Sequence, residues 1–547
     1  MSGYKIGDYH ETYRTFRLEA PERFNWAYEV FDRWANDPSK LAMLWVGNDG
    51  VSRNITYREL SDRSKLVANM LIARGAKPGD RVFIMLPRIV EWWEIMLGCI
   101  RSQTVSAPAT TMLTARDVSY RINESEAKIA ITDSENADKI KSVIDQCPSL
   151  DEVIVVGEAV GLSKYEDLLR SVSNDLPNPN NLSSDPMMIF FTSGTTGNPK
   201  MVLHTHASYP VGQQITGKFW IDNGPEDLHW TLADTGWAQC AWTCLFAPWN
   251  MGAAVFIWDQ RGKFDAEGTV QMLERYPITT FFAVPTAYRM IVIDTKRRMN
   301  TKALRHCVSG GEPVTPELIE GWKRITGLNI WEGFGQTEGV LCLATFPGML
   351  YKPGSMGVAA PGFIMAVVDQ GGNELPDDVE GELATRISPE RPVGLFKEYW
   401  RNVEANTKAF RGDWYYTGDR AYRDSDGYFW FVGRADDVIN SSSYRIGPSE
   451  VESVLHEHDA VAESAVVASP DDMRGNIVKA FVVLTEGYMA SDELASKLQE
   501  YVRSATAPYK YPREIEFLEE LPKTVSGKIR RNKLREREIE RKIREFE

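Results

Sequence analysis

Thr192-Ser193-Gly194-Thr195-Thr196-Gly197-Asn198-Pro199-Lys200 follows directly on the apolar run Met187 to Phe191. A short apolar run closed by a Gly/Ser/Thr loop reads as a buried strand ending in a tight turn. The loop offers backbone N–H groups, four hydroxyls and one cation. Successive amides make an anion-binding concavity and hydroxyls orient oxygen ligands, so the group set suits a polyphosphate. It is not a Walker A loop, because Asn198 and Pro199 separate Gly197 from Lys200, whereas that motif needs Gly-Lys-Ser/Thr in direct succession. An ordinary polar turn is the bland alternative, and a run this long and this uniform argues against it.

The chain around this loop has 547 residues, too many for one core, so more than one domain is expected. Charged residues make up 25% and hydrophobic residues 43%, an ordinary globular balance. A net charge of −14 argues against broad nucleic-acid or anionic-membrane binding. Six cysteines are scattered without a CxxC pair, which fits a reduced compartment. Cys240 and Cys244 are spaced to share a helix face, and with no histidine at ligand spacing packing is the better reading than zinc. The N-terminal stretch lacks an apolar core and carries early acidic residues, resembling neither a signal nor a transit peptide. No apolar run approaches the roughly 20 residues of a membrane helix. The expectation is a cytoplasmic protein without a membrane span and without a nucleic-acid partner. The sequence leaves the oligomeric state open, a homo-oligomer included.

Helix and strand patterns alternate through the first four-fifths. Leu60–Ala73 has helical spacing and Val82–Leu86 reads as a strand. Val90–Ile100 and Arg116–Asn123 read as helices, and Lys128–Thr132, Ala253–Trp258 and Thr279–Val284 as strands. This alternation predicts parallel sheets flanked by helices. The pattern changes near residue 420. Tyr428–Val432 reads as a strand, followed by the polar connector 433–437. A helix at Pro448–His456, strands at Ala465–Ala468 and Val478–Leu484, a helix at Ser491–Thr506 and a strand near Ile515–Phe517 come next. They make a unit long enough to fold alone. The charge-rich segment 528–547 reads as a solvated helix. The predicted architecture is α/β: a large N-terminal domain, 1–434, with parallel-rich sheets and a smaller β subdomain, and a small α+β C-terminal domain, 435–547.

Five further segments stand out. Ser309-Gly-Gly-Glu-Pro313 leaves backbone free to approach a flat ligand. Trp331-Glu-Gly-Phe-Gly-Gln-Thr-Glu338 ends in a hydroxyl and a carboxylate. Tyr416-Thr-Gly-Asp419 sets a carboxylate in a turn, Gly433-Arg434 supplies a planar cation, and Pro522-Lys-Thr-Val-Ser-Gly-Lys528 supplies a lysine on a Gly-containing turn. Each is weak alone; their order and completeness are specific.

In that order the set resembles the adenylate-forming superfamily, and most of all the AMP-forming medium-chain acyl-CoA synthetases, over about residues 20–540. The stretches Ile439–Glu452 and Thr506–Pro512 are especially similar. The resemblance implies ATP, Mg²⁺ and CoA. A carboxylate attacks the α-phosphate of ATP to give acyl-AMP and pyrophosphate, and the CoA thiol then displaces AMP. It implies that Thr192, Ser193, Gly194, Thr195, Thr196, Gly197, Asn198, Pro199 and Lys200 wrap the β- and γ-phosphates. Glu338 is implied as the Mg²⁺ ligand and Thr337 as the α-phosphate contact. Gly310, Gly311, Glu312 and Pro313, with Glu332, Gly333, Phe334, Gly335 and Gln336, would frame adenine and acid. Asp419 and Arg434 would hold the ribose, and Lys528 would bridge carboxylate and α-phosphate. The resemblance also implies rotation of a mobile C-terminal domain about Asp436. That turn brings Ser442, Ser443 and Tyr444 to the CoA path, with Arg474 and Arg503 on the CoA nucleotide. Where this family has glycine the chain has Ser443, which is expected to slow thioester formation without abolishing it.

For the acid, the resemblance assigns Trp237, Gly310 and Gly335 to the pocket. Acetyl-CoA synthetases carry tryptophan where this chain has Gly335, so the pocket is expected to extend beyond a methyl group. A medium-chain, branched or aromatic acid follows. The competing readings are an adenylating enzyme that loads a carrier protein and, against the intact Lys200, Glu338, Asp419, Arg434 and Lys528, a non-catalytic nucleotide-binding protein.

Overall fold

The computed structural model describes residues 8–192, 199–434, 437, 439–441, 444–471, 475–506, 510–524 and 527–546. Ser193 to Asn198 of the expected phosphate loop, the expected hinge Asp436, Ser442, Ser443 and Arg474 lie outside the described residues.

Two large mixed sheets form the N-terminal region. The first has eight strands. Its centre is parallel: Arg81–Met85 pairs with Val105–Pro108 on one side and Ala127–Asp133 on the other. The strand Pro186–Thr192 joins parallel to 105–108 and then turns back antiparallel into Lys200–Thr205, with Thr192 opposite Lys200. The predicted strand before the loop is therefore present, and it pairs antiparallel with the strand that follows the loop. The two-residue strand Glu398–Tyr399 closes this edge, with Tyr399 opposite Val202. The second sheet has nine strands. Leu228–Leu232, Ala254–Trp258, Thr280–Ala283, His306–Gly310 and Ile330–Gly335 are parallel within it, and antiparallel strands cap both ends. Helices such as Tyr57–Ala73 and Val90–Ser102 cover the faces. Tyr57–Ala73 starts at a capping box, Thr56 and Glu59 satisfying each other's backbone N–H. The largest core cluster gathers Trp26, Trp92, Trp93, Trp220 and Trp249, all essentially buried.

A five-stranded antiparallel sheet follows, built on the long strand Trp414–Arg423, which pairs with Gly381–Arg386 and Phe429–Arg434. Beyond it the chain forms a separate α+β unit. Val461–Asp471 and Gly475–Leu484 make a hairpin to which Glu514–Phe517 adds parallel. Helices Pro448–His456, Asp492–Ala505 and Arg531–Phe546 pack around it. Lys479, nearly buried, donates to Glu538 of the last helix at 2.6 Å, tying that helix to the sheet.

Candidate active site

The site lies where the two large sheets and the antiparallel sheet meet. Glu338 follows the strand Ile330–Gly335, and the Phe396 N–H donates to its carbonyl at 2.7 Å. The Tyr399 hydroxyl donates to Glu338 Oε1 at 2.8 Å. Lys200 Nζ stands over the same tyrosine ring, 5.1 Å from its centroid. Lys200 and Glu338, 138 residues apart in sequence, are thus gathered by one residue that no motif flagged. Burial and the neighbouring Glu338 push the Tyr399 hydroxyl well above its ordinary pKa, so it stays protonated and a donor.

The Thr337 carbonyl takes two donors: His204 Nε2 at 2.7 Å and the Tyr209 hydroxyl at 3.2 Å. Burial pushes His204 down to about 3, so the ring is neutral. With Nε2–H donating, Nδ1 accepts from Ser208 Oγ at 3.0 Å.

Asp419 and Arg434 are cross-strand partners on the ladder between 414–423 and 429–434, and Arg434 donates to Asp419 Oδ1 at 2.9 Å. Gln336 donates to Asp419 Oδ2 at 2.6 Å and to the Thr417 carbonyl at 2.8 Å, while its own oxygen accepts from Tyr415 at 3.1 Å. Burial raises the Asp419 pKa, opposed by the charges of Arg434 and Lys528. The last cation comes from the C-terminal unit. Lys528 closes a tight turn, its N–H donating to Thr524 Oγ1 at 3.1 Å, with Gly527 in the left-handed region at φ 82°. Its charge is felt at Asp419 across the boundary between the two units.

The two glycine segments end the paired strands His306–Gly310 and Ile330–Gly335. Gly311 has φ 92°, and a Cβ there would stand 2.5 Å from Gln239 Nε2. Glu312 accepts from Thr286 at 3.0 Å. A Cβ at Gly310 would stand 2.6 Å from the Gly333 carbonyl, so that glycine serves strand-to-strand approach. Trp237, half-buried, precedes the short helix Ala238–Ala241. Its turn is pinned by Asp234, which accepts from the Gly236 N–H at 2.8 Å and from Thr110 at 3.1 Å. At Gly335 the structure differs from the expected open volume. A Cβ there would meet the Val340 carbonyl oxygen at 2.5 Å and the Trp242 ring at 2.6 Å.

Glu332 is buried. Its Oε1 accepts from the Val314 N–H at 3.3 Å, and its Oε2 meets no donor among the described residues. Burial lifts its pKa to about 8. Phe334 is half-buried on the same strand. Arg503 is exposed on the helix Asp492–Ala505, 3.5 Å from Glu500. The backbone of Tyr444 pairs with Ser441 in a short hairpin. The six cysteines are all free and buried. Sequence reasoning missed Tyr399, Tyr209, His204, Tyr415, Gln239 and Trp242. The His204-Thr-His206 doublet was the only visible hint among them.

Comparison with known proteins agrees with this geometry. Residues 30–400 match the AMP-binding enzyme family, and residues 450–528 match the AMP-binding enzyme C-terminal domain. Human mitochondrial acyl-coenzyme A synthetase ACSM3 is 45% identical over 544 residues, covering 97% of this chain and 93% of that protein. The anthranilate CoA ligase AuaEII, solved with anthranoyl-AMP, superposes with a TM-score of 0.87 at 30% identity, over 95% of this chain and 98% of its own. A benzoate CoA ligase from Burkholderia xenovorans LB400 superposes with a TM-score of 0.83 at 28% identity, over 94% and 100%. On these likenesses the chain belongs to the AMP-binding enzyme family and is an AMP-forming acyl-CoA synthetase, joining a carboxylic acid to CoA through an acyl-AMP intermediate at the expense of ATP.

Proposed function

We propose that the acid is medium-chain, branched or aromatic, and that the residues of this site divide the two half-reactions as follows. The loop 192–200 and Lys200 hold the β- and γ-phosphates, Thr337 the α-phosphate, and Asp419 with Arg434 the ribose. Lys528 neutralises the charge that develops between the acid carboxylate and the α-phosphate. Placing cations where charge appears, in a site partly shielded from water, is the main catalytic resource for such a reaction. The observation that most supports this division is Lys528 of the C-terminal unit felt at Asp419, beside the Glu338–Tyr399–Lys200 group. For thioester formation the reading extends to residues 435–547 as a mobile domain turning about Asp436. Ser442, Ser443 and Tyr444 then line the CoA path, with Arg474 and Arg503 at its nucleotide.

The donor set suits Mg²⁺. Among the described residues no three His, Cys, Asp or Glu side chains converge on one point. Glu338 has one oxygen held by Tyr399, leaving the other for a cation that takes its remaining ligands from phosphates and water. Bound there, Mg²⁺ would supply charge neutralisation on the phosphates.

The aromatic option draws support from the anthranilate and benzoate ligases among the structural relatives. No helix among the described residues is long and apolar enough to cross a membrane. We place the protein in the cytoplasm on the six free cysteines, although the human relative is named mitochondrial.

A pyrophosphate-release assay over a panel of acids, with and without CoA, tests the reading. Acid-dependent pyrophosphate followed by CoA-dependent AMP supports it. Pyrophosphate without CoA-dependent AMP favours delivery to a carrier protein, and silence with every acid refutes it.

A further inference from the structure

We infer that Glu452 is a positioning residue for Lys528: it grips Arg531, which leads from the lysine turn into the last helix, and so fixes how far the lysine reaches into the site. The inference rests on the role given to Lys528 above and adds the group on which that role depends.

The turn that carries Lys528 is closed on itself. The Lys528 N–H donates to Thr524 Oγ1 at 3.1 Å, and its carbonyl accepts from the Thr524 N–H at 2.7 Å. The Arg530 N–H donates to the Pro522 carbonyl at 2.7 Å, and Lys523 bridges to Ile529. Such a turn keeps its shape but needs an anchor outside itself to keep its place. Leu521, Ile529 and Leu534 give it an apolar footing on Ala465, Val467 and Phe481. Apolar contact has little direction. The Lys523–Glu463 pair on the near flank is partly exposed, where an ion pair contributes little. The directional anchor is on the far flank. Arg531 Nε donates to Glu452 Oε1 at 3.0 Å and Nη2 to Oε2 at 2.5 Å, with the two side chains 23% and 9% exposed. A two-pronged pair of this kind fixes direction as well as distance. Glu452 is itself held, because its Oε1 also accepts from the Val466 N–H at 2.7 Å. The helix Pro448–His456, the strand Val461–Asp471 and the last helix therefore meet on one carboxylate.

A staple for the small unit's fold would need nothing more. Two further observations point to the site. Arg531 lies three residues beyond Lys528, and besides Glu452 it feels the charges of Asp437 and Glu312. Glu312 belongs to the glycine segment of the N-terminal region, so Arg531 stands at the same boundary across which Lys528 is felt at Asp419. One helical turn further on, Arg535 donates to Asp437 Oδ1 at 2.6 Å, which fastens the residue after the proposed hinge to the same helix. The start of the last helix thus refers Lys528 to Glu452 and to the connector at once. With the Glu452 charge removed, Asp437 and Glu312 are the carboxylates left to draw Arg531, and the lysine turn follows it. A displacement of about 1 Å is enough to cost up to about a hundredfold in rate when a group must meet developing charge. It leaves untouched the groups proposed to hold ATP.

The test compares full-length wild type, Glu452→Gln, Arg531→Lys and Lys528→Ala. Pyrophosphate release is measured with hexanoate, 2-methylpropanoate and benzoate, and single-turnover thioester formation with the matching acyl-AMP and CoA. Glutamine's oxygen keeps the Val466 N–H and loses the charge; lysine keeps the charge and loses the two-pronged bond. Glu452→Gln should lower kcat for pyrophosphate release about tenfold or more, the scale of one charge-assisted hydrogen bond. The KM for ATP and for acid, and thioester formation, should stay near wild type, the mark of an interaction used only in the first transition state. Arg531→Lys should fall between the two, since the charge is still held by Glu452. Both half-reactions falling together, with a lowered melting temperature, would reduce Glu452 to a staple of the fold and overturn the inference. Wild-type pyrophosphate release in Glu452→Gln would overturn it as well. Lys528→Ala tells the failures apart. If it releases pyrophosphate like wild type, the role given to Lys528 fails and this inference with it. If it is inactive while Glu452→Gln is normal, the inference alone fails.

Discussion

Replacing Glu332 by glutamine should stabilise the enzyme near neutral pH and do little in mild acid. An ordinary glutamate side chain ionises near 4.5, whereas burial holds Glu332 to about 8. Below 4.5 the proton is bound in both folded and unfolded chains, and this residue contributes no pH dependence. Between 4.5 and 8 the unfolded chain has released the proton while the folded chain keeps it, so stability falls as pH rises. The slope is about 1.4 kcal/mol per pH unit for one group. From pH 4.5 to 7 the loss reaches about 3 kcal/mol. Glutamine cannot ionise, and its oxygen can accept the same Val314 N–H. Its amide nitrogen stays unpaired where Oε2 is unpaired now, a burden of about 1–3 kcal/mol that does not vary with pH. The telling quantity is therefore the change with pH. Melting temperatures or denaturant midpoints of both proteins, measured without nucleotide from pH 5 to 8.5, should show the variant gaining on wild type by about 3 kcal/mol between pH 5 and 7.5. A difference that stays flat across this range would refute the burial argument. One that reverses sign would mean that the folded site stabilises the carboxylate.

Three further outcomes follow from the site. Lys528→Ala should abolish adenylation while leaving thioester formation from supplied acyl-AMP largely intact, and single-turnover assays of the two steps should show that split. Tyr399→Phe removes the donor to Glu338 but keeps the ring under Lys200, so kcat for pyrophosphate release should fall about tenfold and the apparent Mg²⁺ requirement should rise, as a Mg²⁺ titration would reveal. Gly335→Ala should lower the melting temperature and raise the KM for acid together, because a Cβ there meets the immovable Val340 carbonyl at 2.5 Å. A silent alanine would show that the strand can yield.

Some of this architecture was legible because local patterns carry it. The helix Pro448–His456 begins on a proline, whose fixed φ and missing N–H suit a first turn, and its predicted bounds match those observed. Met187–Phe191 stood out as a continuous apolar run because it is covered on both faces, and it extends to Pro186–Thr192. The motifs carrying Glu338, Asp419, Arg434 and Lys528 were readable because glycine marks a backbone need. What could not be read was long-range. Tyr399 reaches Glu338 only because a two-residue strand pairs with Lys200–Thr205, and such a strand has no period to detect. Trp242 looked like one more core aromatic; its ring packs where a Cβ on Gly335 would stand, which no local pattern could show. The bond from the Gln336 amide to Asp419 was not legible either, because that partnership is set by the packing of two separate sheets.

The strand Glu398–Tyr399 has a consequence for how such an enzyme diversifies. Its register against Val202 and Leu203 decides which face Tyr399 presents, and a slip of one residue would turn that hydroxyl away from Glu338. Tyr399 and Lys200 are thus indexed to backbone ladders, where tolerance for change is small. Trp237, proposed above to meet the acid, sits instead at the start of a helical segment outside those ladders. On that proposal, a change of acid preference should be reached by substitution at Trp237 with less disturbance of the strands than any change at Tyr399 or Lys200.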